Sequence, residues 1–368
     1  LSLVEHGLAL DPQLPEAMAA KGLYLYNFAL NSVEAIDWLQ RALATNPNLA
    51  NASVWLALAL SVHGDIQGAI RIYETANERD PFNPVARNNL VVSYSATGQY
   101  ERGFALLERA KKVTGTTPEI LKSGADLKQL QGELAASITL AEQAHAAQPL
   151  NNPGMLVLGF SYLAALGFEQ ALEVDTPRVR ILALHSQGRT EEASILGFEQ
   201  AAAGRVWPEF FQVLVENGEY ARLVEFVESR WPDLAAFETV YPEREGYGCF
   251  MMGFIAESYS RLGKEPQFND AMARFSASLD HQLSQGVNNP VFHFSRAVHA
   301  MLAGDQKAAI DRLEVAFSRG IGFDVNDPRA WPVFAPLNGD PRYEKAKKGL
   351  IEYINAERFK LGWEPVSI

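Results

Sequence analysis

Seven histidines, one cysteine and a few close carboxylate pairs are the side chains of this 368-residue chain best suited to hold a metal or activate a substrate. His293 and His299 are the only two histidines within two helical turns of each other, and six residues place them about 120° apart on a helix, on different faces. No His-Glu-x-x-His spacing sets a general base between two metal ligands. A single thiol, Cys249, excludes an intrachain disulfide and a multi-thiolate metal site. It lies in the apolar run Cys249-Phe250-Met251-Met252, where a thiol stays inert. Gly159-Phe160-Ser161 begins like a nucleophile elbow, but Leu163 stands where the second glycine is required and no strand precedes it. Neither a phosphate loop ending in Gly-Lys-Ser/Thr nor a Gly-x-Gly-x-x-Gly after a strand is present. Glu191-Glu192 and the pair Glu243 and Glu245 fall at turns or helix starts, where carboxylates complement the helix dipole or stay solvated. The expectation is a non-enzymatic chain with no cofactor and no metal.

The composition narrows the partners. Lys and Arg total 32 against 44 Asp and Glu, a formal charge of −12, so no basic excess exists to neutralise phosphates or an anionic membrane surface. Nucleic acid is not expected as a partner of this segment, nor is membrane insertion. The longest apolar stretch, around Val54–Val62, is about half of the ~20 residues that a spanning helix needs. The first residues, Leu1-Ser2-Leu3-Val4-Glu5-His6, lack the basic region of a signal peptide and an initiating Met, and read as a piece of a longer chain. Nothing here assigns a cellular compartment. Apolar residues make up 48%, enough for a sizeable core.

What must position any site is a repeat. Ala35, Ala69, Gly103 and Ser137 are 34 residues apart, and so are Ala42, Ala76, Ala110 and Ala144. Gly64, Gly98 and Gly132 keep the same interval, as do Pro47 and Pro81; Pro149 falls three intervals after Pro47. A fixed period of this length marks stacked supersecondary units. Each unit reads as helix, tight turn, helix. Leu56, Ala57 and Leu60 line one face of a first helix, Gly64-Asp65 breaks it, and Ala69, Tyr73 and Ala76 line the second until Asp80-Pro81. Small residues at 69 and 76 let neighbouring helices approach closely. The next unit repeats the scheme with Leu90, Val91, Tyr94, Gly98, Tyr100, Leu107 and Ala110.

These residues resemble the tetratricopeptide repeat (TPR) family, with a Tyr-like residue in the first helix, Gly at the turn, small and large residues alternating in the second helix, then Pro; Gly103 departs from the usual Ala. The resemblance covers roughly residues 12–150. It implies an all-α, right-handed α-α superhelix, a TPR solenoid, and counting weaker matches gives about nine to ten helix-turn-helix units and roughly 19 helices. After Pro149 the pattern degrades: the second helix after Gly159 and Tyr162 is curtailed by Asp175-Thr176-Pro177. Gly188, Gly218 and Gly263 keep the turn spacing, and Gly304-Asp305 with Ala309, Leu313 and Ala316 restores it. Well-formed units are expected over 1–150, degenerate ones over 151–325, and a Pro-rich segment with a capping helix over 326–368 in one continuous solenoid. Trp231 to Gly246 reads as a loop with a kink near 231–248, and Asp324 to Pro341 as a second break. The six tryptophans, Trp38, Trp55, Trp207, Trp231, Trp331 and Trp363, are expected between stacked helices.

The run Trp331-Pro332-Val333-Phe334-Ala335-Pro336-Leu337-Asn338-Gly339-Asp340-Pro341-Arg342-Tyr343 and the helix ending at Gly362 are similar to the C-terminal TPR arrays of bacterial TolB-like, winged-helix or adenylate-cyclase-linked regulators. This implies the regulatory or assembly part of a larger bacterial protein. The TPR resemblance implies a concave groove lined by first helices: Tyr26 and Asn27; Val54, Leu58 and Ser61; Asn88, Val92 and Ser95; Lys122, Asp126 and Gln129. Such a lining suits an extended peptide or a helix of a protein partner. Chaperone-tail-binding TPRs hold a carboxylate with Lys, Asn and Arg, but Ala19, Leu23, Ala52, Val85 and Asn89 stand at the equivalent places. The alternative is a domain that senses a small molecule in a pocket between Leu156 and Tyr259 and controls a linked transcription-factor or cyclase module. A homodimer through exposed helix faces is a third expectation.

Overall fold

The 34-residue register becomes pairs of antiparallel helices. A computed structural model describes residues 2–27, 31–148, 154–241, 247–318 and 331–367. After α1 (Ser2–Leu10), nine pairs follow among the described residues. They are α2 (Pro15–Asn27) and α3 (Ser32–Thr45), α4 (Ala50–His63) and α5 (Ile66–Arg79), and α6 (Pro84–Ala96) and α7 (Tyr100–Thr114). Then come α8 (Pro118–Leu130) and α9 (Leu134–Ala147), α10 (Met155–Ala164) and α11 (Phe168–Glu173), and α12 (Pro177–Ser186) and α13 (Thr190–Ala202). The last are α14 (Pro208–Glu216) and α15 (Tyr220–Arg230), α17 (Tyr247–Arg261) and α18 (Glu265–Ser284), and α19 (Pro290–Leu302) and α20 (Gln306–Ser318). A short α16 (Leu234–Val240) stands between two pairs, and a 3-10 turn (Pro332–Leu337) leads into α21 (Pro341–Lys360). No strand occurs among the described residues. The architecture is an all-α superhelix of TPR-like pairs.

Local chemistry sets the boundaries. Some inner helices start with a capping side chain followed by proline: Asn83 Oδ1 accepts from Val85 and Ala86 ahead of Pro84, and Asn289 Oδ1 from Phe292 ahead of Pro290. They end in a residue with positive φ, which glycine adopts at no steric cost, as at Gly98 (φ 71°) and Gly132 (φ 84°). The small residues of the 34-residue columns are buried where helices touch: Ala35, Ala69 and Ser137 have no exposed surface, and a Cβ on Gly103 would come within 2.9 Å of Leu127. Each inner helix packs on the next, from α2 through α4, α6, α8, α10, α12, α14 and α17 to α19, so the first helices form one unbroken inner layer.

The expected loop from Trp231 to Gly246 is in part helical. Asp233 Oδ1 caps α16 by accepting from Ala236 N at 2.8 Å, and Phe237 is fully buried, perpendicular to Trp231 at 5.0 Å. Proline and acid at its flanks hid a two-turn amphipathic segment. Pro242 to Gly246, Pro149 and residues 319–330 of the second expected break lie outside the described residues. Trp331 does not stand in a loop surface; it is 3% exposed, perpendicular to Phe294 at 4.6 Å and packed on Phe250 and Phe254.

Because inner helices run parallel, the turn within each pair lies on one rim of the superhelix, here the upper rim, and the connection to the next pair on the lower rim. The second winding sits with its lower rim on the upper rim of the first. Gln67 Nε2 donates to Gln285 O at 2.6 Å, His281 Nε2 lies 3.2 Å from Gly64 O, and Asn288 N donates to Ala96 O at 3.1 Å. Further along, α21 docks on the turns after α8 and α10. Glu357 Oε2 accepts from Ala135 N at 2.9 Å, capping α9, whose own N-cap Glu133 makes no such bond. Arg358 Nη1 donates to Ala165 O at 2.8 Å and Leu166 O at 3.2 Å. The surface of 16129 Å² exceeds by only about a tenth the roughly 14,600 Å² of a globular protein of 40.6 kDa, as windings in contact require.

The α10–α11 turn departs from the others. Its glycine is displaced by one position, so Leu166 takes the left-handed conformation at φ 53°, the one non-glycine with positive φ among the described residues. The displaced Gly167 lies under Trp363, where a Cβ would meet the indole at 2.7 Å. Left-handed backbone costs a non-glycine about 1 kcal/mol. Leu166 is itself buried in the main core, where loss of a leucine side chain costs about 2–5 kcal/mol, so Leu166→Gly is expected to lower the urea midpoint although it relieves the strain, and Gly167→Ala to lower it as well. A Leu166→Gly chain with a raised midpoint would show that the strain outweighs the packing.

Candidate interaction surface

The inner layer presents two different faces, one in the regular units and one in the degenerate ones. In α4, α6 and α8, positions 54, 88 and 122, then 58, 92 and 126, then 61, 95 and 129 form three columns 34 residues apart. Within each helix their i, i+4, i+7 spacing keeps them on one face. The structure grades them. Val54 is buried in the main core and Leu58 packs half-buried against it; Ser61, Asn88 and Val92 are half-buried. Ser95 is buried and donates to its own helix at Val91 O, 2.9 Å. Lys122 Nζ pairs with Asp126 at 2.7 Å, and the Asp126 side chain is 15% exposed. Gln129 is fully buried, and neither atom of its amide has a partner. Tyr26 is half-buried against the cluster around Leu39, and Asn27 is exposed at the end of α2. Ser123 completes the polar part, donating from Oγ to Asn88 Oδ1 at 3.4 Å and linking α8 to α6. It lies outside the 34-residue columns and was not visible in the periodicity.

The second face is a buried polar seam across α12, α14 and α17. Arg178 Nε donates to Glu209 Oε1 at 3.0 Å, with Glu209 fully buried. Glu216 receives Gln212 Nε2 at 2.7 Å and lies 2.8 Å from His185 Nε2, whose Nδ1 is 3.1 Å from Thr190 Oγ1. Glu257, 1% exposed on α17, accepts from Arg261 Nη2 at 3.3 Å. Glu209, Gln212 and Glu216 recur at i, i+3, i+7 within the apolar run Pro208-Glu-Phe-Phe-Gln-Val-Leu-Val-Glu. Polar residues at helical spacing in such a run are the signal that could have located the seam.

The seam holds three carboxylates against two guanidiniums and the His185 imidazole. Buried charge without a counter-charge is costly, and a carboxyl neutralises instead. Burial pushes Glu257 up to about 7, Arg261 opposes this, and Glu216 on the neighbouring helix adds to it.

The residues weighed for catalysis each have a place in the packing. Ser161 Oγ lies 2.8 Å from Ser137 Oγ, itself bonded to Ala125 O at 2.8 Å, all inside the stack. Cys249 is buried. His293 Nε2 contacts Asn288 Oδ1 at 2.9 Å, and burial lowers His299, whose ring stands edge-on to Phe275 at 5.3 Å. Glu192 pairs with Arg189 at 2.7 Å. No cluster of three metal-ligating side chains forms among the described residues. No helix among them is long and apolar enough to cross a membrane.

No family model and no curated protein matches the sequence. Among solved structures, the chain is similar to a thermophilic TPR protein of Thermus thermophilus, with 20% identity over 47% of this chain and 98% of that one, TM-score 0.40. A tetratricopeptide repeat protein from Parabacteroides merdae is 11% identical over 92% of this chain and 99% of its own, TM-score 0.38. A chain of the APC/C hetero-tetramer Cut9-Hcn1 is 14% identical over 91% of this chain, which spans 63% of that one, TM-score 0.46.

Glu257 has a consequence for stability. The folded state keeps its proton up to about 7, whereas the unfolded chain releases it near 4.5, so between these values the native state binds more protons and stability falls as pH rises. Glu257→Gln is expected to remove that fall: near wild-type midpoints in urea at about pH 5, and higher than wild type at about pH 8. Parallel pH curves for the two chains would show that the proton sits elsewhere in the seam.

Proposed function

We propose that the chain is a non-enzymatic interaction module whose inner face binds an extended peptide or a helix of a protein partner along α4, α6 and α8. The observation that carries this reading is the ladder of Asn88, Ser123, Lys122 and Asp126 on adjacent inner helices, beside the half-buried apolar Leu58 and Val92. Amides and an ion pair at helical spacing offer main-chain partners to a strand-like ligand, and the apolar positions take alternate side chains. The charge of −12 favours a basic partner, through steering that salt screens.

The finer part of the proposal is that this module is the regulatory arm of a larger bacterial protein. Its support is the likeness of residues 331–362 to such regulators, a segment that forms the 3-10 turn and α21 closing the stack.

Selection of a peptide library on the immobilised chain tests the site. Asn88→Ala and Asp126→Arg are each expected to weaken the selected peptides about tenfold or more, with thermal midpoints within a few degrees of wild type. Undiminished binding to both variants would remove the inner face of α4 to α8 from the proposal.

A further inference from the structure

The two rims of the superhelix are unevenly covered. On the upper rim of the first winding, a Cβ added at Gly98 would reach Asn288 O at 2.8 Å, because the α18–α19 connection lies on it. On the upper rim of the second winding, a Cβ added at Gly188, Gly263 or Gly304 would meet nothing within 4 Å among the described residues. The same kind of surface is thus filled in one winding and bare in the next. Its helix ends carry the same backbone carbonyls and amides, for which the first winding receives partners from within the chain.

Beside the bare upper rim runs an open groove of about 600 Å³, bounded by the α17–α18 turn and by α15 from Ala221 to Ser229 in its last turn; Ala221 and Leu262 are its exposed apolar lining above the buried Val224, with Glu225, Glu228 and Lys264 at its polar side. Leu262 is 40% exposed. Its counterpart is on the lower rim of the first winding. There the α5–α6 connection exposes Phe82 (64%) and, at the start of α6, Val85 (49%), and Val113 is exposed at the next lower-rim connection. Arg79, in the last turn of α5, stands three residues from Phe82.

We infer that a second copy of this chain docks head to tail, its α5–α6 connection seated on the first copy's groove beside the upper rim as the α18–α19 connection is seated on the α4–α5 and α6–α7 turns within one chain. Phe82 enters the groove over Val224 and Leu262, and Arg79 meets Glu225. The intrachain contact supplies the geometry: a lower-rim connection lying on upper-rim turns, with side-chain donors reaching helix-end carbonyls. The two surfaces differ, so the contact is heterologous, and each added copy leaves one groove and one Phe82 free.

Sedimentation velocity over a concentration series tests this, with Phe82→Asp and Leu262→Asp as the two variants. Both positions face solvent; unchanged circular dichroism confirms the fold, and Val85→Asp and Glu225→Arg serve as second variants if either chain misfolds. The wild-type mass is expected to rise with concentration past two copies, while each variant alone stays at 40.6 kDa. An equimolar mixture of the two variants is expected to form a one-to-one complex and nothing larger, since one intact groove meets one intact Phe82. A wild-type chain that stays monomeric at every soluble concentration overturns the inference. So does a mixture that fails to pair, or association that both variants leave intact. Peptide binding on the inner face is untouched by either variant, so its outcome is read separately.

Discussion

A helix end leaves backbone groups without intrahelical partners, and a solenoid is a structure whose two rims consist of helix ends. Much of this protein follows from how those groups are satisfied. Within a pair, capping side chains such as Asp65, Asn83, Thr117 and Asn289 and left-handed glycines close the local turns. That leaves carbonyls at Ala96, Ala165 and Leu166 and amides at Gln67 and Ala135, and the second winding reaches them. A net hydrogen bond contributes only about 1 kcal/mol, but an unpaired buried group costs more than that, so winding on winding avoids a larger loss. Glu357 is the clearest case. A carboxylate from α21 caps a helix 222 residues earlier in the chain, at the end where the helix dipole favours an anion.

The regular part of this arrangement was legible in the sequence because close packing repeats. Ala69 and Gly103 must be small wherever a second helix touches its neighbours, and such a requirement writes a period into the chain. The degenerate part was less so, because there rings carry much of the packing. Phe198, Phe210, Phe211 and Phe226 meet edge to face at 4.7 to 6.1 Å, and small residues such as Gly197, packed on Phe210, no longer keep the 34-residue interval. Closure of the superhelix was invisible for a different reason. It rests on single polar residues, Gln67 with Gln285 and Arg358 with Ala165, that carry no pattern and lie about 200 residues apart in sequence. The displacement of glycine from 166 to 167 was in plain sight, yet only the indole of Trp363 gives it a reason. Of the groove positions, those facing the ladder kept polar contacts, whereas Val54 and Ser95 were drawn into the packing. Periodicity gives the face of a helix, not the depth at which a neighbour covers it.

The polar seam of α12, α14 and α17 is hard to explain by stability alone. Replacing a buried ion pair with apolar side chains is often neutral or stabilising, and Glu209 here keeps one oxygen without a partner while Gln212 keeps its carbonyl. What the seam adds is register. Arg178 fits Glu209 and His185 fits Glu216 only when α12 and α14 align along their whole length, since the two contacts are seven residues apart on both helices. An all-apolar interface of Leu, Val and Phe would tolerate a slip by one turn. In units that have lost the repeat's small residues, directional bonds take over the work of fixing how one helix lies on the next.

Closure also bears on how the proposed partner would reach the inner face. With the lower rim of the second winding lying on the upper rim of the first, access from the side between windings is filled by the α18–α19 connection and by α21. The proposed ligand of α4, α6 and α8 would therefore enter along the superhelix axis, or the contacts at Gln67, Ala96 and Ala135 would part first. The first route selects for a slender segment, an extended peptide or a single helix, over a folded domain. The second sets the free energy of parting those contacts against binding, and lowers the apparent affinity by the fraction of molecules that are closed. The strained Leu166 turn lies under the same clasp, so its left-handed backbone is held in place by the contacts that such an opening would break.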